Sequence, residues 1–178
     1  MRKEKTNEDY MRLAINQAKR AGDAGDVPIG CIIVYRENKK NKNMLDKCKK
    51  CGIKDGDIIS RGYNKRNARN NSIYHSEIIA IDKACKKIKD WRLDGCEMYV
   101  TLEPCQMCAG AIVQSRIKKV YIAAKSKKSG SAGSIVNILQ NNEFNHKVDI
   151  EFGLLEEESS NMIKKFFKES VRKNWLSL

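Results

Sequence analysis

Two short runs constrain how this chain folds: His75-Ser76-Glu77 and, 27 residues beyond Glu77, Pro104-Cys105-Gln106-Met107-Cys108. Each opens a stretch of helical spacing. Ile78, Ile81, Ala84, Cys85 and Ile88 place residues 75–88 on a helix with His75 and Glu77 in its first turn. Pro104 has no N–H to lose at a helix start and a fixed φ that suits one, so 105–115 reads as a second helix. Apolar runs at 96–102 and 118–124 flank that helix and read as strands. The unit 96–124 is therefore a strand, helix, strand crossover, expected to be parallel and right-handed.

The remaining elements follow from capping and periodicity. Thr6, with Asp9 three residues on, caps a helix through residue 21 that Gly22 and Gly25 end. Ile29 to Tyr35 is an almost continuous apolar run, expected of a strand buried on both faces. A partner strand, 57–62, returns beside it. Residues 36–56 between them are rich in Lys, Asn and Asp, and read as a mobile surface insertion too polar to bury. A helix near 134–139, a strand over 148–153 and an amphipathic helix over 155–173 complete an α/β fold: a three-layer α/β/α sandwich expected to form one domain over 1–178.

His75, Cys105 and Cys108 are suited to bind one zinc ion. Three protein ligands leave a tetrahedral metal its fourth position for water, which distinguishes catalytic from closed structural sites. Both runs fall at helix N-termini, where the macrodipole favours thiolate over thiol. Glu77, two residues past the histidine, is the candidate proton carrier. Two other readings stay open. A Cys-x-x-Cys pair is also found in redox dithiols and structural zinc knuckles. A second pair, Cys48-Lys49-Lys50-Cys51, could complete a four-cysteine structural site with Cys105 and Cys108. That site would leave His75, one of only two histidines, and Glu77 without a role.

Charge narrows the partner. Thirty-five Lys and Arg against 22 Asp and Glu leave a net charge of +13, which suits a polyanionic substrate, RNA or DNA. No apolar run approaches the about 20 residues needed to span a bilayer, and the N-terminus lacks the apolar core of a signal peptide. A cytoplasmic protein is expected. Seven cysteines at irregular spacing fit thiols and metal ligands better than a disulfide framework.

The pattern of a histidine, a glutamate two residues on and a later Pro-Cys-x-x-Cys is the signature of zinc-dependent nucleobase deaminases. Thr101 to Ile112, Ser115-Arg116-Ile117, Val27-Pro28-Ile29-Gly30, the loop 128–134, Asn145-His146 and Phe166-Phe167 extend the likeness. With these the chain resembles the bacterial tRNA-specific adenosine deaminases, which convert a wobble adenosine to inosine. The resemblance implies a five-stranded mixed sheet of the cytidine deaminase type, a homodimer, and one zinc per subunit on His75, Cys105 and Cys108. It also implies that Asn64 contacts the flipped nucleoside and that Val27, Pro28, Ile29 and Leu102 wall the base pocket. Lys125, Lys127, Lys128, Ser129, Phe167 and Arg172 would hold the tRNA anticodon loop. The chain departs from the family at Tyr74, an aromatic beside a metal ligand, at Lys125-Ser126, where Arg-Asp is common, and at the 36–56 insertion. Deamination of a free guanine- or cytosine-type base is the alternative within enzymes. A nucleic-acid-binding protein with a structural zinc is the alternative of another class.

Overall fold

The computed structural model describes residues 4–176, with side chains to residue 170. Five strands form one sheet in the order β2-β1-β3-β4-β5: β1 Gly30–Tyr35, β2 Ile58–Tyr63, β3 Cys96–Leu102, β4 Lys119–Ala124 and β5 Asp149–Phe152. β1 is antiparallel to both β2 and β3, whereas β4 runs parallel to β3 and β5 parallel to β4. The sheet is therefore mixed, and the strand, helix, strand crossover over 96–124 is parallel as expected.

Strand alternation sorts the core into two layers. Ile32, Val34, Tyr99, Tyr121 and Ala123 face α1 (Asn7–Asp23) and α6 (Glu156–Leu176). Cys31, Ile33, Met98, Val100, Val120 and Ile122 face α4 (Ser76–Ile88) and α5 (Gln106–Gln114). The Thr6 and Asp9 side chains form a capping box at the start of α1, a device worth about 1 kcal/mol. Among the described residues no helix is long and apolar enough to cross a membrane.

Two expectations need correction. Residues 36–56 are not merely a polar surface segment: they carry α2 (Lys42–Lys50), and Met44, Cys48 and Ile53 are buried in the layer shared with Tyr35, Ile88, Leu93 and Cys96. α2 is capped by the Asn41 side chain, which accepts from the Met44 N–H at 3.1 Å, and is tied to the end of α4 by a Lys47–Asp90 ion pair. Two apolar residues one turn apart suffice to bury a helix face whose other side is lysine. The helix expected near 134–139 is instead a set of turns with an isolated bridge, Ala132 to Asn137. A carboxylate from elsewhere in the chain claims its backbone N–H groups. A short helix, α3 (Arg66–Arg69), also precedes α4.

Candidate active site

His75 and Cys105 occupy the N-cap positions of α4 and α5, both in extended backbone geometry, and Cys108 lies in the first turn of α5. Both helices start at the same end of the sheet, where β3 ends and β1 begins. α4 approaches β2 so closely that a Cβ on Gly62 would lie 2.0 Å from the Ser76 carbonyl oxygen. Only glycine permits that contact, and it sets the height of the histidine turn.

His75 Nδ1 lies 3.7 Å from Cys105 Sγ and 3.6 Å from Cys108 Sγ. The three donor atoms lie within 4.8 Å of one another. A tetrahedral zinc with ordinary Zn–S and Zn–N bonds sets its nitrogen and sulfur ligands about 3.6 Å apart, which both His75 to cysteine separations match. Among the described residues this is the one His, Cys, Asp or Glu group close enough to hold a metal ion. The four-cysteine alternative is not assembled. Cys48 packs with Tyr35 and Cys96, which pairs with Tyr35 at the opposite end of the sheet from Cys105.

Charge is unevenly shared between the two thiols. The Cys105 thiol is pulled down to about 4, chiefly by a hydrogen bond from Cys108 and then by His75. The Cys108 thiol is pushed far up, first by holding that shared proton and then by burial. Hydrogen bonding to Cys105 raises the His75 imidazole. Burial raises the Glu77 carboxyl, against the Ser76 hydroxyl, which donates to its Oε2 at 2.7 Å. Glu77 is 4% exposed and acts electrostatically on both His75 and Cys108.

Three further segments carry the other residues singled out in the sequence. Asn64 is buried, and its Oδ1 accepts from the Ser76 N–H at 3.0 Å; among the described residues its Nδ2 has no protein acceptor. Its own N–H donates to the Ile29 carbonyl at 3.1 Å, joining it to the Val27-Pro28-Ile29 segment. Pro28 is buried, and Val27, Ile29 and Leu102 are half-buried at the adjoining strand ends. Lys125, Lys127, Lys128 and Ser129 are exposed on the loop after β4, and Phe167 is exposed on α6. The Arg172 side chain lies outside the described residues.

Two residues without an assigned role in the sequence prove central to this geometry. Asp26, 1% exposed, accepts from the N–H groups of Asn67 and Ala68 at 3.1 and 3.2 Å, holding α3 against the Val27 segment. Glu103, 3% exposed, accepts from the N–H groups of Ser126, Ala132 and Ser134 at 2.9, 3.0 and 3.0 Å and from the Ser134 hydroxyl. Burial alone would raise the Glu103 carboxyl, but these donors hold it below the ordinary range. A Cβ on Gly130 would fall 2.3 Å from Glu103 Oε2, so the loop can close around the carboxylate only with glycine there. A lone carboxylate in an otherwise apolar strand end was the available signal for Glu103.

Comparison with known proteins agrees with this architecture. Residues 5–170 match the family of MafB19-like deaminases. A tRNA-specific adenosine deaminase of Bacillus subtilis (strain 168) is 42% identical over 94% of this chain and 92% of its own length. A solved structure from work on A-to-I editing by tRNA:A34 deaminases at the wobble position of transfer RNA superposes with a TM-score of 0.73. It is 35% identical and covers 86% of this chain and 97% of that one. A guanine deaminase structure from Bacillus subtilis is 33% identical, but covers only 68% of this chain and 66% of that one, with a TM-score of 0.55.

Proposed function

Because the chain belongs to the MafB19-like deaminase family, and within it to the tRNA-specific adenosine deaminases, we propose that it hydrolyses the wobble adenosine of a tRNA anticodon to inosine and ammonia. The observation that carries this reading is the convergence of His75 Nδ1 and two cysteine sulfurs beside a buried glutamate. His75, Cys105 and Cys108 would hold one zinc ion per subunit, which would supply the Lewis acidity that makes water a nucleophile near neutral pH. Glu77 takes one proton from the water that attacks C6 and passes it to purine N1, then takes the second from the new C6 hydroxyl and gives it to the amine, which departs as ammonia. The Ser76 hydroxyl fixes the glutamate for that exchange.

Asn64 uses its oxygen on the Ser76 N–H and keeps its Nδ2 for an acceptor on the extruded nucleoside. Val27, Pro28, Ile29 and Leu102 enclose the base. Lys125, Lys127, Lys128 and Ser129, with Phe167 and Arg172, engage the anticodon loop. Glu103 keeps the loop after β4 folded. An unpaired loop nucleotide is cheaper to extrude than one stacked in a duplex, which favours this substrate over helical RNA.

A second subunit is part of this reading. Phe144 and Ile138 border a groove of about 540 Å³ along α5, and Ile135 and Val136 lie exposed nearby on the same loop. Such an apolar face suits a second copy of the chain, in a homodimer. A tRNA substrate places the enzyme in the cytoplasm.

The likeness to guanine deaminase favours one rival, hydrolysis of a free base. It spans a smaller share of both chains, and a net charge of +13 suits a polyanion better than a neutral purine. Incubation with an anticodon stem-loop bearing a wobble adenosine, beside free adenosine and free guanine, separates the two. The stem-loop is expected to react with kcat/KM at least about 10³-fold above free adenosine, because phosphate contacts supply binding a lone nucleoside lacks. Faster, salt-independent turnover of guanine would establish the rival.

A further inference from the structure

Residues 65–74 form a tongue between the pocket asparagine and the metal-binding histidine. The Lys65 N–H donates to the Tyr74 carbonyl at 3.0 Å and closes its base, while Asp26 and the Gly25 carbonyl hold α3 from behind. Between the tongue and the exposed edge of α4 runs a groove of about 570 Å³, bordered by Lys65, Arg69, Tyr74, Lys83 and Lys86 with a single carboxylate, Asp82. Asp82 is already paired with Lys86 at 2.7 Å. Lys65, Arg69 and Lys83 have no carboxylate partner among the described residues. Lys65 lies over the Tyr63 ring and Lys83 donates to the Arg61 carbonyl, so two of the three are held in place without being neutralised. Beside them Ile73 and Tyr74 are 50% and 37% exposed.

The sheet order places this groove. The tongue follows the edge strand β2, whereas the Lys125 to Ser129 loop follows β4, and the site lies between them at the ends of β1 and β3. Cations therefore flank the site on both sides. A nucleotide extruded into the site has backbone on both of its own sides, and each side needs its phosphates held. Cations without a carboxylate partner, gathered around an exposed aromatic ring, match single-stranded RNA, which is bound by charge and stacking together.

We propose that this groove is a second RNA-docking surface, where Lys65, Arg69 and Lys83 take phosphates on one side of the deaminated nucleotide and Tyr74 stacks on a neighbouring unpaired base. The assignment rests on the tRNA reading above and extends it to residues outside the loop after β4.

The test is the KM for an anticodon stem-loop across a salt series, for the intact enzyme and for Lys65→Ala/Arg69→Ala. Loss of two phosphate contacts is expected to raise KM roughly tenfold at about 0.15 M salt and to flatten the logarithmic salt slope by roughly 1.4. Zinc content per chain should be unchanged, which reports on folding. Tyr74→Ala should also raise KM, and Tyr74→Phe should restore it. Lys42→Ala/Lys50→Ala removes the same charge from α2 at the far end of the sheet and should change neither quantity. A tongue variant with the KM and slope of the intact enzyme, or one no different from the α2 variant, overturns this proposal alone. An intact enzyme that ignores the stem-loop but deaminates a free base overturns it together with the tRNA reading.

Discussion

The side-chain oxygen of Asn64 accepts the Ser76 N–H at 3.0 Å, so the residue assigned to the nucleoside also sets the first turn of the helix that carries His75 and Glu77. Pocket and metal site share one hydrogen bond. Asn64→Ala leaves that buried N–H unsatisfied, which costs about 1 to 3 kcal/mol. It should lower both thermal stability and turnover. Asn64→Asp keeps the Ser76 N–H satisfied but replaces the Nδ2 donor with a buried carboxylate, so it should lose deamination through the lost donor even where the fold is retained. Melting curves beside stem-loop kinetics separate the two roles.

Glu103 anchors four donors of the loop 126–134 from beneath. Glu103→Ala strands three backbone N–H groups and is expected to destabilise by about 3 kcal/mol. Hydrogen exchange should show the loop 126–134 losing protection before the rest of the chain. The KM for stem-loop RNA should rise with it.

These two residues show what the sequence discloses and what it conceals. The Thr6 and Asp9 cap, the buried run of β1, and the helix starts at His75 and Cys105 are legible because each depends on neighbours a few residues away. Glu103 is not, since its partners lie 23 to 31 residues further along the chain. The apolar spacing of Ile135, Ile138 and Leu139 suggests a helix, but Glu103 takes the Ala132 and Ser134 N–H groups at the start of that run. α2 is obscured by composition: Met44 and Cys48 are the two buried positions in a helix otherwise dominated by lysine.

Cys48 and Cys51 lie at the opposite end of the sheet from the proposed metal ligands, and Cys48 is fully buried against Met44. Cys48→Ser buries a hydroxyl in an apolar contact and should cost about 2 kcal/mol of stability. Cys51→Ser, at a half-buried position, should cost less. Zinc per chain, measured by atomic emission, should equal that of the unaltered protein in both.

Lys47 holds the Asp90 carboxyl below its ordinary value of 3.8 and so docks α2 on the end of α4. A depressed carboxylate contributes stability that is present above its unfolded pKa and lost as pH falls through the folded one. Asp90→Asn should therefore lower stability by about 1 kcal/mol at pH 7. The difference should shrink progressively once the pH drops below 3.8. Denaturant melts at several pH values would show it.

The central claim is that Glu77 moves protons at a metal site it does not help to hold. It is tested most directly by measuring inosine formed in stem-loop RNA by Glu77→Gln enzyme whose zinc content has been determined on the same sample. The account predicts an unchanged zinc-to-chain ratio and a rate lower by at least about 10²-fold, the usual contribution of a general acid–base group. Undiminished inosine formation by that zinc-loaded variant would contradict it.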